Sequence, residues 1–374
     1  MAGIYIHIPF CKKACNYCNF HFSVNHHLLP EMIEAIVFEA NLQKAYLQEP
    51  IETIYLGGGT PSLLSNTQLT TIIKGINATF NVLSNAEITL EANPDDINQD
   101  KLSFWKSAGI NRLSIGVQSF FEEDLVWMNR AHNAQQAIQS IQLAKKEGFD
   151  NISIDLIYGG PSLTETNWEK NLATCFELEI PHLSAYALTV EPKTALAKKI
   201  DSKLLPAIDL EKQATHFNLL VDATAKAGFD HYEIANFAIP GYKSKHNTSY
   251  WSGKHYVGLG PAAHSFNGTS RQWNIANNRL YLASIQQNLI PFEIEQLSSN
   301  QQLNEYIMTA LRTMEGIDLD RIEQMGGEIA LKNMNALADK YIQSSSIVKK
   351  ENYLVLTNQG KFIADGIAAD LFQL

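Results

Sequence analysis

Six apolar, β-branched stretches, each followed by a stretch with helical spacing, occupy residues 3–228. "GIYIHI" (3–8), "ETIYLGGG" (52–59), "EITLEAN" (87–93), "RLSIGVQS" (112–119), "NISIDLIYG" (151–159) and "HLSAYAL" (182–188) read as strands. The intervening helices are read at 31–48, 68–80, 100–109, 134–148, 166–179 and 210–228. This alternation predicts parallel βα units, and near-continuous apolar strands suit a sheet covered on both faces. A barrel and a doubly wound sheet both satisfy the pattern. Cys11, Gly58, Glu91, Gln118, Asp155 and Thr189, read as lying at or just after strand ends, favour the barrel, whose ligands gather on that rim.

At 374 residues the chain exceeds a usual single domain, and 45% hydrophobic content is enough for a large core. The expected division is a barrel over 1–235, a connecting segment over 236–300 rich in glycine, aromatics and histidine, and a C-terminal domain over 301–374. In the last, helices around a hairpin at "IVKKENYLVLT" resemble a winged helix. Residues 301–371 hold seven Lys/Arg against ten Asp/Glu, and the whole chain carries −10. A phosphate backbone requires a basic face, so nucleic acid is excluded as the main partner. The start, "MAGIYIHIPFC", lacks a basic n-region and an apolar h-region. No apolar run reaches the roughly 18 residues of a membrane span. The expectation is a soluble, cytoplasmic protein without a transmembrane segment.

Three of the four cysteines, Cys11, Cys15 and Cys18, follow the first strand with C-x3-C-x2-C spacing. Crowded thiols without partners elsewhere suit a metal or redox role better than a disulfide framework. Two metal readings stand. Joined by His21, they can form a closed Cys3His zinc site. Alternatively, three thiolates hold three irons of a [4Fe–4S] cluster and leave the fourth open. Cys175, in a helical run, reads as packing.

"CKKACNYC", with Tyr17 just before the third cysteine, resembles the signature of the radical S-adenosylmethionine (SAM) superfamily. The resemblance implies that the amino and carboxylate groups of SAM take the open iron, and that an electron from the cluster cleaves the sulfonium. "YIHIPFC" (5–11), "GGGTPSLL" (57–64), "RLSIGVQSF" (112–120), "SIDLIYGGP" (153–161) and "HNTSYW" (246–251) resemble the branch of oxygen-independent coproporphyrinogen III dehydrogenases and heme chaperones. The implied fold is α/β: a partial (β/α)6 TIM-like barrel with a C-terminal domain of the dehydrogenase type.

Through that resemblance Tyr5, Tyr17, Gly58, Gly59, Thr60, Glu91, Gln118, Arg130 and Asp155 match positions that contact one of two SAM molecules. Glycines would let a ligand approach the main chain, and a carboxylate at Glu91 would pair with the positive charge of SAM. Asp155, between Ile154 and Leu156, needs a partner; Arg130 is expected to supply it, directly or through the ligand.

Three departures separate the chain from the dehydrogenases. Phe20 stands where they have a further cysteine, ten residues precede the cluster motif where they have a long extension, and "HNTSYW" matches the chaperones' H-N-x-x-Y-W. That match implies His246 as heme ligand, with Tyr250 and Trp251 to stack on the porphyrin; His255 and His264 could serve instead. His7 reads as a satisfied core histidine, His21, His26 and His27 as solvated, and Trp127, Met128 and Met308 as core. The expected function is a heme chaperone that receives heme and inserts it into respiratory hemoproteins, with an electron donor for the cluster. The alternative is the dehydrogenase.

Overall fold

Strict alternation of apolar and polar side chains along the strands gives the barrel its form. The computed structural model describes residues 2–373. In β1 (Ala2–Ile8), Ile4, Ile6 and Ile8 are fully buried on one face, while Tyr5 and His7 take the other. The same holds for β2 (Ile51–Gly58), β3 (Val82–Ala92), β4 (Arg112–Gln118), β5 (Ile152–Tyr158) and β6 (His182–Ala187). Ile54, Leu56, Leu90, Leu113, Ile115, Ile154, Leu156 and Leu183 join the core on one face. Thr53, Glu91, Arg112, Ser114, Ser153, Asp155 and Ser184 alternate with them. The strands that read as apolar on both faces are therefore apolar outward and polar inward.

The six strands run parallel in sequential order. Their returning helices are α1 (Leu29–Leu42), α2 (Asn66–Thr79), α3 (Gln99–Ser107), the short α4 (Glu122–Met128), α5 (Ala134–Lys146), α6 (Glu165–Glu177), α7 (Ala195–Asp201) and α8 (Leu210–Lys226). Reciprocal capping boxes, Ser65 with Gln68 and Asn133 with Gln136, begin α2 and α5; each cap stabilises by about 1 kcal/mol. Sequence reading anticipated every one of these strands, but neither α4 nor α7.

β6 does not pair with β1, so the barrel is open, and strands within residues 230–296 finish both edges. On one side β7 (Asp230–Glu233) and β8 (Asn236–Ala238) extend β6. On the other, β9 (Tyr256–Leu259) lies parallel to β1 and continues into β10 (His264–Phe266), β11 (Ser270–Asn274) and β12 (Phe292–Gln296). The segment read as a connector thus belongs to a single 12-stranded sheet. It also contributes α9 (Lys245–Trp251) and α10 (Asn278–Ile285).

A second, smaller core lies within residues 303–371. It is built from α11 (Ser299–Leu311), β13 (Ile317–Asp318), α12 (Leu319–Gln343), β14 (Ile347–Lys350), β15 (Tyr353–Leu356), α13 (Asn358–Lys361) and α14 (Ala364–Leu371). The helix kinks at Gly327, whose φ is 76°. Helices around the three-stranded sheet β13–β15–β14 give the α+β, winged-helix-like unit expected from the sequence.

Candidate functional site

The loop after β1 carries Cys11, Cys15 and Cys18, all half-buried and free of disulfides. Main-chain bonds fix it: Cys11 N donates to Ser23 O, Asn16 N to Met128 O and Cys18 N to Cys15 O. Lys12 ties it to Asp95 and Asp96 beyond β3. Burial pushes the Cys11 thiol up to about 11, partly offset by Thr60, and the neighbouring thiols raise it further. Burial also raises Cys18. Among the described residues no group of three or more His, Cys, Asp or Glu side chains is placed to hold a metal ion.

The donor set nonetheless fits an iron–sulfur cluster. Three soft ligands share one loop, and Arg130 Nη1 donates to Cys15 Sγ at 3.3 Å, a cation that offsets thiolate charge. Cys175 is fully buried in α6 and donates to Asn171 O, so it is not a fourth ligand. His21, the fourth member of the zinc alternative, directs Nε2 to Asn278 Oδ1 at 2.7 Å.

The rim residues surround this loop. Arg130 is clamped by Asn93 Oδ1 and Gly116 O, both 2.7 Å from Nη2, and its Nη1 reaches Tyr17 OH at 3.4 Å. Thr60 is buried, donates its N–H to Phe10 O and accepts from Asn93 Nδ2. Gly58 and Gly59 have a reason the sequence hid. A Cβ on Gly58, whose φ is 100°, would fall 2.4 Å from the His7 ring. One on Gly59 would lie 2.6 Å from the carbonyls of Ile8 and Phe10. Their smallness is required by the protein's own chain, so that β1 and β2 can close on each other.

Glu91 accepts from Tyr55 OH at 2.9 Å and from the N–H of Gly58 at 3.1 Å. Burial, then the charge of Asp155, lifts its carboxyl to about 7. Asp155 itself is raised to about 6, chiefly by burial. It lies in mid-strand rather than at the end of β5, and it accepts a hydrogen bond from the hydroxyl of Ser114 at 3.4 Å. The direct Arg130 pair expected for it is not formed; among the described residues Asp155 has no ion pair, and Arg130 is committed elsewhere. Two acids thus share the interior without a bonded cation, a setting that favours a cationic ligand. Gln118 ends β4 beside a register shift with a left-handed φ of 70°, a strained position of the kind that recurs at ligand sites.

Tyr5 OH bonds His7 Nδ1 at 3.2 Å, and His7 Nε2 bonds His21 O, so His7 is satisfied as expected. His246 lies low in the barrel on α9. It is 1% exposed, its Nδ1 bonds Thr53 Oγ1 and its Nε2 bonds Tyr250 OH, each at 2.8 Å. Both ring nitrogens are occupied, so in this arrangement neither is available to a heme iron. Arg112, which sequence reading passed over, is a buried guanidinium whose Nε and Nη2 have no partner among the described residues. The available signal was a charge opening an otherwise apolar strand.

A cavity of about 870 Å³ runs from the cysteine loop to the C-terminal unit. Phe20 and His21 line it beside the loop, Tyr250 and His264 come from the barrel side, and Tyr306 and Met308 from α11. Met308, read as core, is instead 38% exposed on this wall.

Comparison with known proteins agrees with this geometry. Residues 5–175 match the radical SAM superfamily model. The chain is 33% identical over 371 residues to the "Heme chaperone HemW" of Bacillus subtilis (strain 168), covering 98% of each chain. It is 32% identical over 375 residues to that of Mycobacterium tuberculosis (strain ATCC 25618 / H37Rv), covering 99% of this chain and 94% of the other. With that of Escherichia coli (strain K12) it shares 36% over 265 residues, 70% of this chain and 69% of the relative. The structure of coproporphyrinogen III oxidase (HemN) from Escherichia coli, a radical SAM enzyme, superposes with a TM-score of 0.87 at 22% identity, covering 100% of this chain and 90% of that one. That likeness establishes the shared fold of barrel and C-terminal unit. The chain belongs to the radical SAM superfamily, in the family of proteins called heme chaperone HemW.

Proposed function

We propose that this protein is a heme chaperone: it binds heme and passes it to hemoproteins of the respiratory chain. A [4Fe–4S] cluster would sit on Cys11, Cys15 and Cys18, and SAM on the rim. The observation that carries the reading is the tetrapyrrole-sized cavity that begins at the cysteine loop, within the volume range of ligand pockets.

When bound, the cluster supplies an electron and the site for SAM at its open iron. The chain's own residues bind and orient. Arg130 balances thiolate charge, and Glu91 with Asp155 offers negative charge to a sulfonium or ammonium. Tyr5, Tyr17, Gly58, Gly59, Thr60 and Gln118 shape the surrounding wall. An electron donor is required from outside. No helix among the described residues is long and apolar enough to cross a membrane; we assign the protein to the cytoplasm, and contact with membrane-bound recipients to protein partners.

Anaerobic reconstitution followed by hemin titration tests the reading. The expected outcome is about four irons per chain and a saturable Soret shift. Absence of heme binding would overturn it. Turnover of coproporphyrinogen III would establish the dehydrogenase reading in its place.

A further inference from the structure

Arg112 opens β4 and points into the barrel, where it is 1% exposed. It enters no ion pair among the described residues, and its Nε and Nη2 have no hydrogen-bond partner. Thr89, opposite it in the register of β3 and β4, is fully buried and leaves Oγ1 unpartnered as well. Removing a charge from water is costly unless an opposite charge compensates it. The groups below Arg112 are committed to one another. Glu87, on the same face of β3, directs its two oxygens to the N–H groups of Lys245 and His246 at the start of α9. His182 and His246 have both ring nitrogens bonded and are kept neutral by burial, then by Arg112 itself. Tyr55 and Tyr232, which also face the guanidinium, are kept neutral by burial.

Above Arg112 the inward face continues through Ser114 to the two acids. Register pairs Ser114 with Glu91 on β3, and Gly116 with Asp155 on β5. Ser114 donates to Asp155 at 3.4 Å, so that carboxyl leans down the barrel toward Arg112. The two acids therefore differ in what they face. Burial lifts Asp155 to about 6, and among charges Arg112 opposes that rise most, ahead of Arg130. Burial and the charge of Asp155 lift Glu91 to about 7, and what opposes that rise is hydrogen bonding from Tyr55 and Gly58 rather than a cation. Tyr186, on β6 beside Asp155, is kept neutral by burial and brings no further charge.

Resting on the reading that SAM occupies the rim, we propose that Arg112 is the internal counter-charge of Asp155: a positioning residue that acts through this acid rather than on the ligand, and keeps it a carboxylate ready for the cation of SAM. Glu91 has no such support. It takes the proton that the pair shares at neutral pH, and releases it to solvent when the cation arrives. One charge fixed from below and one uncovered on binding let the empty site stand without two bare carboxylates side by side.

The test is SAM binding to the full-length, cluster-loaded protein from about pH 5.5 to 9, each variant taken as a ratio to the wild type so that the titration of SAM's own amino group cancels. By simple repulsion, loss of a nearby cation would tighten the binding of another. The expected result is the reverse. Arg112→Gln should bind SAM about tenfold more weakly at pH 7, with the rise in affinity displaced upward by about one pH unit, and should match the wild type at about pH 9. Arg112→Lys, which keeps the charge, should follow the wild-type curve. In the Asp155→Asn background Arg112→Gln should cost nothing further. In the cluster-free protein, carboxyl-labelled NMR should place the Asp155 titration about one unit higher in Arg112→Gln, a readout that does not depend on cluster loading. If Arg112→Gln does not fold, Arg112→Met gives the same readouts. A wild type that binds no SAM overturns the occupancy of the rim. A wild type that binds, with Arg112→Gln unchanged or tighter at pH 7, or with a loss equal at every pH, overturns only the role of Arg112.

Discussion

The two ends of the barrel are built from the same strands and obey opposite rules. At the rim, burial and the charge of Asp155 below it raise the pKa of Glu91, Gln118 is held left-handed, and three thiols share one loop. Near the floor, His246 spans Thr53 and Tyr250 and stacks on Tyr55, while Glu87 accepts the N–H groups of Lys245 and His246. His182 likewise bonds Ser153 and Tyr232, both at 2.7 Å. A satisfied network stabilises one conformation; a frustrated one waits for something to complete it. The contrast says that rim substitutions should remove ligands and spare the fold, and that floor substitutions should do the reverse.

The largest expected effect is at the rim. Cys11→Ala, Cys15→Ala and Cys18→Ala together should take iron from about four per chain to near zero, while urea unfolding of the cluster-free protein stays close to that of the cluster-free wild type. Iron retained in this variant, or a collapse of the apo fold, would break the contrast at its strongest point.

Next is the floor. His246→Leu leaves Thr53 Oγ1 and the Tyr250 hydroxyl without their partner, which should destabilise by about 3 kcal/mol. Urea midpoints measure this, and iron content after reconstitution should not change. A variant as stable as the wild type would mean that the network is not what closes the barrel below.

Acidity distinguishes the two ends by sign. Glu91 is raised above its unfolded value, so its contribution to apo stability is full below about 4.5 and is lost as pH rises through about 7. His246 is lowered to about 3, so its contribution is present above the ordinary value of 6.5 and is lost as pH falls toward 3. Glu91→Gln should therefore flatten the loss between pH 5 and 8, and His246→Gln the loss below pH 6. Because a cationic ligand favours the carboxylate, SAM should bind the wild type more tightly as pH rises through 7. It should bind Glu91→Gln about tenfold more weakly at pH 8. Calorimetry across this range checks both; an affinity indifferent to pH would remove Glu91 from the cation site.

Much of this contrast was legible in the sequence, but unevenly. The strands were visible because their outward residues, such as Ile4, Ile6 and Ile8, are continuous apolar runs in all but name. The cysteine loop was visible because local spacing brings its thiols together without long-range information. What depended on packing between distant segments was not. Nothing local shows that Gly59 faces the Ile8 and Phe10 carbonyls, that Arg130 is taken by Asn93 and Gly116, or that residues near 256–296 extend the β1 edge. The H-N-x-x-Y-W stretch drew attention to a histidine that helical spacing, four residues apart, turns toward its own Tyr250. Met308 looked like core because its helix is amphipathic; it lies instead on the face that meets the cavity.

The smallest effect sharpens the comparison most, because Asn93 touches no expected ligand atom. Its side chain accepts from Arg130 Nη2 and donates to Thr60 Oγ1 at 3.4 Å, so it links the cation beside Cys15 to the loop that carries the glycines. Asn93→Ala should leave one guanidinium donor unpaired at about 1 kcal/mol, and Arg130 should lose its aim at Cys15 more than its place in the fold. The expected outcome is full iron loading with SAM affinity weakened about fivefold, and a changed electron paramagnetic resonance signal of the reduced cluster. If stability falls while affinity and spectrum hold, Asn93 obeys the rule of the floor, and the boundary between the two ends lies above β3.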